Sequence, residues 1–242
     1  MRIKVVVPVS TSKWNEIVRE QYEVYKDPET EIDIINIEKG PESITSEYDE
    51  AWAKLFTLRE AEKAEEDGYD GVILYCGMDP ALEAAKQALT IPVVGIAEPS
   101  LHLAFQIGKK LAYVGPGNKD VNTNKNYVTA AEEGKYGLPP PVSRRYGIAM
   151  ERPVLDIFDK MDEIKEGMLT AAKKAIEEDS ADIVYANCGA LIEPVKYLKE
   201  NLDVPVIENS VVALKTLEMI IKLGLSQSKK AFPKPPKKKR LM

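Results

Sequence analysis

Residues 71–80, GVILYCGMDP, carry the pattern that decides the fold: an apolar run delivers Cys76 to a turn containing glycine. Residues 182–191, DIVYANCGAL, do the same with Cys188, the only other cysteine in the 242-residue chain. The flanks agree. An acidic triplet, Glu65-Glu66-Asp67 or Glu177-Glu178-Asp179, ends nine residues before each thiol, and Asp70 and Asp182 each stand six before. Downstream, IPVV (91–94) and VPVI (204–207) place a proline 16 and 17 residues after the respective cysteine. Two βαβ-like units, each ending its first strand on a cysteine, account for this spacing. Such a pair predicts two lobes facing one another across one cleft.

The rest of the chain alternates in the same way. Strands are predicted at 3–9, 31–37, 93–96, 110–115 and 144–149. Helices are predicted to end near 25, 67, 89, 108, 178 and 223, with the third opening at Pro80 and the fifth at Val154. Ser10, Thr11 or Ser12 is expected to cap the first helix, and Ser46 with Asp49 has the form of a capping box. Gly68 and Gly224 are expected helix stops. Gly115-Pro116-Gly117-Asn118 reads as a turn whose amides could face an anion if a helix begins near Val121. Strands alternating with helices throughout give an α/β fold with parallel sheets flanked by helices. Residues 1–97 with 209–242 are expected to form the first lobe, carrying Cys76, and residues 98–208 the second, carrying Cys188. Ligands of such sheets sit at the carboxyl ends of strands, where both cysteines lie.

Composition narrows the functions. Hydrophobic content of 44% and charged content of 30% fit a soluble globular protein and exclude a disordered chain or a coiled coil. The formal charge is −6, yet seven basic residues fall between Lys229 and Arg240, leaving −13 on the body. A surface that acidic repels phosphate backbones, so no nucleic-acid partner is expected. The apolar run near residue 5 is too short for a signal-peptide core and nothing later spans a bilayer, which predicts a cytoplasmic protein with no membrane partner. A reducing compartment argues against a disulfide. One histidine, His102, and two isolated cysteines predict no metal.

A free thiol is only ~3% ionised at neutral pH. At a strand-to-helix turn, backbone N–H groups and the helix dipole are expected to lower its pKa. Two thiols on opposite walls of a cleft suit one reaction in particular. A thiolate removes a proton from carbon while a thiol delivers one to the opposite face, inverting a stereocentre acidified by an adjacent carbonyl. No cofactor is then required. Both residues could instead be core cysteines, since free cysteine is often buried. Packing needs only a small apolar residue, however, and does not explain both thiols falling on the duplicated turn. Glu98 is a candidate ligand contact or helix-start residue, Asp79 a cap or an orienter of Cys76, and His102 reads as a packed or surface side chain.

CGMDPAL (76–82), IPVVGIAE (91–98), the Cys-Gly turn at 188 and GLSQSKKAFPKPP (224–236) resemble the aspartate/glutamate/hydantoin racemase superfamily, and within it the hydantoin and allantoin racemase branch. The resemblance covers nearly the whole chain. It implies two pseudo-symmetric lobes, cofactor-independent racemisation of a small-molecule substrate, and catalytic thiols at Cys76 and Cys188. It implies substrate contacts from Pro8, Ser10, Thr11, Gly77, Met78, Gly115, Gly117, Asn118 and Gly189. A homo-oligomer is expected. The first loop reads PVST where the branch more often has an Asn-Pro-Asn type, and Cys76 is followed by Gly-Met rather than Phe-Gly.

The expected substrate is a 5-substituted hydantoin or related ureide. A dicarboxylic amino acid on the same scaffold would want cationic contacts, and the named loops hold no arginine or lysine except the adjoining Lys119, although Arg144, Arg145 or Arg152 could fold over the cleft. A two-lobed binding protein without turnover is the third reading, and it has no evident need for paired thiols.

Overall fold

The computed structural model describes residues 1–118, 136–150 and 154–239. Its strands form two four-stranded parallel sheets. The first has β1 (Arg2–Val7), β2 (Glu31–Asn36), β3 (Gly71–Leu74) and β4 (Val93–Gly95) in the order β2-β1-β3-β4. The second has β5 (Leu111–Asn118), β6 (Ser143–Met150), β7 (Ile183–Ala186) and β8 (Val206–Ile207) in the order β6-β5-β7-β8. The two orders are the same. The duplication seen around the cysteines therefore extends to whole sheets, with β3 and β7 as inner strands buried at every position. Continuous apolar runs are what parallel strands covered on both faces require.

Equivalent residues do the same work in each copy. Arg2 N–H donates to Asp70 Oδ2 at 2.7 Å and Asp70 N–H returns a bond to the Arg2 carbonyl at 2.8 Å. Lys110 N–H donates to Asp182 Oδ1 at 2.8 Å and Asp182 N–H returns one to the Lys110 carbonyl at 2.9 Å. Val72 and Val184 each donate at 3.0 Å to the carbonyl of a proline, Pro92 or Pro205. The aspartate six residues before each cysteine thus ties its strand to the start of the neighbouring one.

Eight residues or more of helix follow most strands: α1 (Asn15–Tyr25), α2 (Glu47–Glu66), α4 (Ala97–Ile107), α5 (Met161–Asp179), α6 (Ile192–Asn201) and α7 (Asn209–Lys222), with a shorter α3 (Leu82–Ala88). The helix after β4, α4, sets Leu101 and Ala104 among Tyr113, Ile183, Tyr185 and Ile207 of the second sheet. Conversely α7, after β8, presses Leu217 and Ile221 onto Gly71 of the first, where an added Cβ would lie 2.9 Å from Leu217 Cδ1. The capping box is as expected, with Asp49 N–H donating to Ser46 Oγ at 3.2 Å and Ser46 Oγ donating to Asp49 Oδ2 at 2.9 Å. Gly68 and Gly224 adopt φ of +76° and +65° just past their helices.

Four local expectations change. Residues 115–118 continue β5 instead of turning, paired to β6 with a register shift between Gly115 and Gly117. The bulge lets Pro116, which has no N–H, sit in a strand. The helix predicted from Val154 begins only at Met161, after a 3-10 turn at Phe158–Lys160, because Val154 takes a left-handed φ of +74°. The helix predicted from Pro80 begins at Leu82, since Asp79 and Ala81 are left-handed. No hydroxyl caps α1, whose N-cap position is Trp14. The helix expected near Val121 lies outside the described residues.

Candidate active site

Each cysteine leaves the end of an inner strand into a tight turn. Asp79 N–H donates to the Cys76 carbonyl at 2.9 Å, and Leu191 N–H to the Cys188 carbonyl at 3.3 Å, the same three-residue step in both copies. Inside each turn the amide two residues on, that of Met78 or Ala190, favours the thiolate over the thiol. Both cysteines are free and half-buried.

The turns meet reciprocally. Tyr75, just before Cys76, donates its hydroxyl to the carbonyl of Gly189, just after Cys188, at 2.9 Å. Gly77, just after Cys76, abuts Asn187, just before Cys188, so closely that an added Cβ would lie 2.6 Å from the Asn187 carbonyl oxygen. A Cβ on Gly189 would lie 2.5 Å from the Tyr75 ring. Both glycines are needed for close approach across the junction of the two copies.

Burial governs the thiols. Desolvation pushes the Cys188 thiol up to about 11, opposed by the Ala190 amide. Cys76 is raised further, first by burial, then by the charges of Cys188, Asp79 and Glu50, with the Met78 amide opposing. The expectation that the turn would lower both values is therefore corrected: the amide donors act in that direction, but desolvation outweighs them. No helix begins at either sulfur, α3 starting six residues after Cys76 and α6 four after Cys188. Both thiols are thus shifted upward by burial, and charge on Cys188 adds to the shift of Cys76.

The other predicted contacts lie on the loop after β1, in the Cys76 turn and at the end of β5. Pro8 is buried one residue beyond Val7, and Tyr75 N–H donates to the Val6 carbonyl at 2.8 Å, so Pro8 lies beside the Cys76 turn. Thr11 is half-buried, its carbonyl accepting from Asn36 Nδ2 at 2.6 Å. Ser10 is exposed and bonded through N–H to the Pro41 carbonyl at 2.9 Å. Met78 and Gly77 are buried in the turn. Gly115 follows Val114, the partner of Ala186, and has open space where a side chain would be. Gly117 and Asn118 are paired with Ala149 and Met150.

Sequence reasoning missed Tyr75 and Asn187, hidden in the apolar runs, and the true task of Asp79. That carboxylate caps α4 from a distance, accepting from Ala97 N–H at 3.0 Å, Glu98 N–H at 2.8 Å and Tyr136 Oη at 2.6 Å. Glu98 pairs with Lys86 at 2.6 Å, and His102 is exposed. Arg145 is held by Glu178 and Asp179, each at 2.7 Å. Among the described residues no cluster of three metal-binding side chains occurs, and no helix is long and apolar enough to cross a membrane.

Comparison with known proteins gives this geometry a class. The family model described as Asp/Glu/Hydantoin racemase matches residues 3–217, and the chain belongs to that family: it is an isomerase, a racemase. Its relatives place it in the hydantoin/allantoin racemase branch. It is 32% identical over 240 residues to a hydantoin racemase of Pseudomonas sp. (strain NS671), covering 99% of this chain and 93% of the relative. It is 29% identical over 244 residues to a hydantoin racemase of Paenarthrobacter aurescens, covering 100% of both. The solved allantoin racemase from Klebsiella pneumoniae superposes with a TM-score of 0.88 at 27% identity, covering 100% of this chain and 96% of that one.

Proposed function

We propose that this racemase interconverts the enantiomers of a 5-substituted hydantoin or related ureide without a cofactor, using Cys76 and Cys188 on opposite faces of the carbon next to a carbonyl. One thiolate takes the proton from that carbon, leaving an enolate on the neighbouring carbonyl oxygen. The other thiol gives its proton to the opposite face, so the product has inverted configuration and the two sulfurs have exchanged protonation states. The enantiomer is processed from the exchanged state. A buried thiolate of raised pKa is a stronger base than an exposed one, which suits a weakly acidic C–H.

The observation that supports this reading is the reciprocal contact of the two cysteine turns, Tyr75 with Gly189 and Gly77 with Asn187, the residues that flank Cys76 and Cys188. The division into lobes at 97/98 and 208/209, the substrate contacts named above, the cytoplasmic location and a homo-oligomeric state belong to the same proposal. The neutral ring is favoured over a dicarboxylate because Arg145 is already engaged by two carboxylates.

The test is to incubate the protein, with reductant and a chelator, with single enantiomers of 5-benzylhydantoin, allantoin, aspartate and glutamate, following optical activity and deuterium uptake at the stereocentre. Decay of a hydantoin or of allantoin is expected. Turnover of aspartate or glutamate alone would replace the substrate class, and exchange with none would remove the proposal.

A further inference from the structure

Asp79 has more contacts than a cap requires. It is 2% exposed, takes a left-handed φ of +47°, and shares its turn with Cys76, to whose carbonyl its N–H donates. Its carboxylate accepts from two amides at the start of α4 and from the Tyr136 hydroxyl, 57 residues away. Gly95 makes this possible, since a Cβ there would lie 2.1 Å from Asp79 Cγ. A left-handed aspartate held by three donors is a conformation imposed by its surroundings.

We infer that Asp79 and Tyr136 are positioning residues for Cys76: Asp79, three residues on in the same turn, anchors that turn to α4, and the Tyr136 hydroxyl draws off part of the charge of the Asp79 carboxylate. The charged groups whose field reaches Cys76 are Cys188, Asp79 and Glu50, opposed by the Met78 amide. Among the described residues the Asp79 carboxylate accepts from the Ala97 and Glu98 amides and Tyr136, with the Glu98–Lys86 pair adjoining and the His102 ring 6.5 Å from that of Tyr136. Charge on Asp79 disfavours the Cys76 thiolate, and a hydrogen bond donated to that charge weakens the effect. The Tyr136 hydroxyl thereby sets how readily Cys76 ionises without touching it.

The inference rests on Cys76 being one of the two reacting thiols, but its test does not require turnover. In a Cys188→Ala background, Cys76 is the only thiol in the chain, and its alkylation by iodoacetamide at a fixed pH of about 8.5 is proportional to its thiolate fraction. Asp79→Asn removes the charge and is expected to speed alkylation on the order of tenfold. Tyr136→Phe removes one of the donors to that charge, leaving the two α4 amides, and is expected to slow it roughly threefold. Opposite signs are the signature, because loosening of the turn would speed both. Changes of the same sign, or none, overturn the inference. If Asp79→Asn does not fold, Tyr136→Phe alone decides: slower alkylation supports it, and an equal or faster rate defeats it. A wild type that racemises nothing would sink the proposed function and leave this result standing.

Discussion

The hydroxyl of Tyr75 donates to the carbonyl of Gly189 at 2.9 Å, joining the residue before one cysteine to the residue after the other. Tyr75 is buried and packs edge-on against Tyr22, with ring centroids 6.1 Å apart. Tyr75→Phe removes the donor and leaves a buried carbonyl short of a partner, so a loss of about 1–3 kcal/mol in denaturant unfolding is expected. Gly189→Ala is expected to cost about as much, because its Cβ would enter the Tyr75 ring. Full stability in both variants would show that the junction is slack.

The buried thiols link stability to pH. An unfolded thiol ionises near pH ~8.5, whereas burial holds Cys188 at about 11 and Cys76 higher. Their burial therefore costs the fold nothing below about pH 8.5. Above it the unfolded chain releases protons that the native state retains, and stability falls by up to ~1.4 kcal/mol per pH unit for each thiol. Urea unfolding at pH 7.5 and 10 should show this decline, and Cys188→Ala should reduce it. An unchanged slope in that variant would contradict the burial argument.

Activity should climb across the same range. With the Cys188 thiol pushed up to about 11, its thiolate is scarce at pH 7 and grows tenfold per unit of pH below that value. The logarithm of kcat/KM is expected to rise with a slope near one between about pH 7 and 10. Because racemisation has an equilibrium constant of one, the two enantiomers must give the same kcat/KM at every pH. A flat profile would mean that substrate binding, not thiol ionisation, limits the rate.

Asp182 accepts from the Lys109 and Lys110 amides, and those bonds, chiefly that of Lys110, hold its carboxyl below the ordinary range. Its contribution is present above the unfolded carboxyl value of ~3.9 and fades as pH falls through the lower native one. Asp182→Ala should destabilise by about 0.5–1 kcal/mol at pH 7, solvent screening the exposed bonds, and by less near pH 2, with the racemase rate unchanged. Equal destabilisation at both pH values would assign the effect to packing.

The C-terminal segment guards the edge of the first sheet. Gln227 donates to the Leu89 and Ile91 carbonyls at 2.9 and 2.8 Å and accepts from Val93 N–H at 3.3 Å, pairing the backbone beside edge strand β4. Gln227→Ala should lower stability in urea unfolding by about 1–2 kcal/mol. Unchanged stability in that variant would contradict this role of the segment.

Features legible in the sequence are those with local causes. The repeated cysteine, the aspartate six residues before it and the Ser46–Asp49 box each act within a few residues or through a duplicated strand, so spacing reveals them. Gly-Pro-Gly-Asn at 115–118 reads as a turn because its residues break regular structure, yet pairing with β6 holds it extended. The thiol pKa values depend on how much protein surrounds each sulfur, which no local pattern records. Asp79 looks like a cap for the next helix in sequence, but serves α4 and meets Tyr136 only through the tertiary fold.

The central claim is that the two thiols face opposite sides of one carbon. Its most direct measurement is deuterium uptake at the stereocentre of each enantiomer of a turned-over hydantoin in D2O, for the wild type, Cys76→Ala and Cys188→Ala. The wild type should exchange both enantiomers with inversion. Each variant should racemise neither and should exchange, slowly, only the enantiomer whose proton faces its remaining thiol, with opposite choices for the two variants. Racemisation surviving in either variant, or exchange of both enantiomers by a single remaining thiol, would contradict the account.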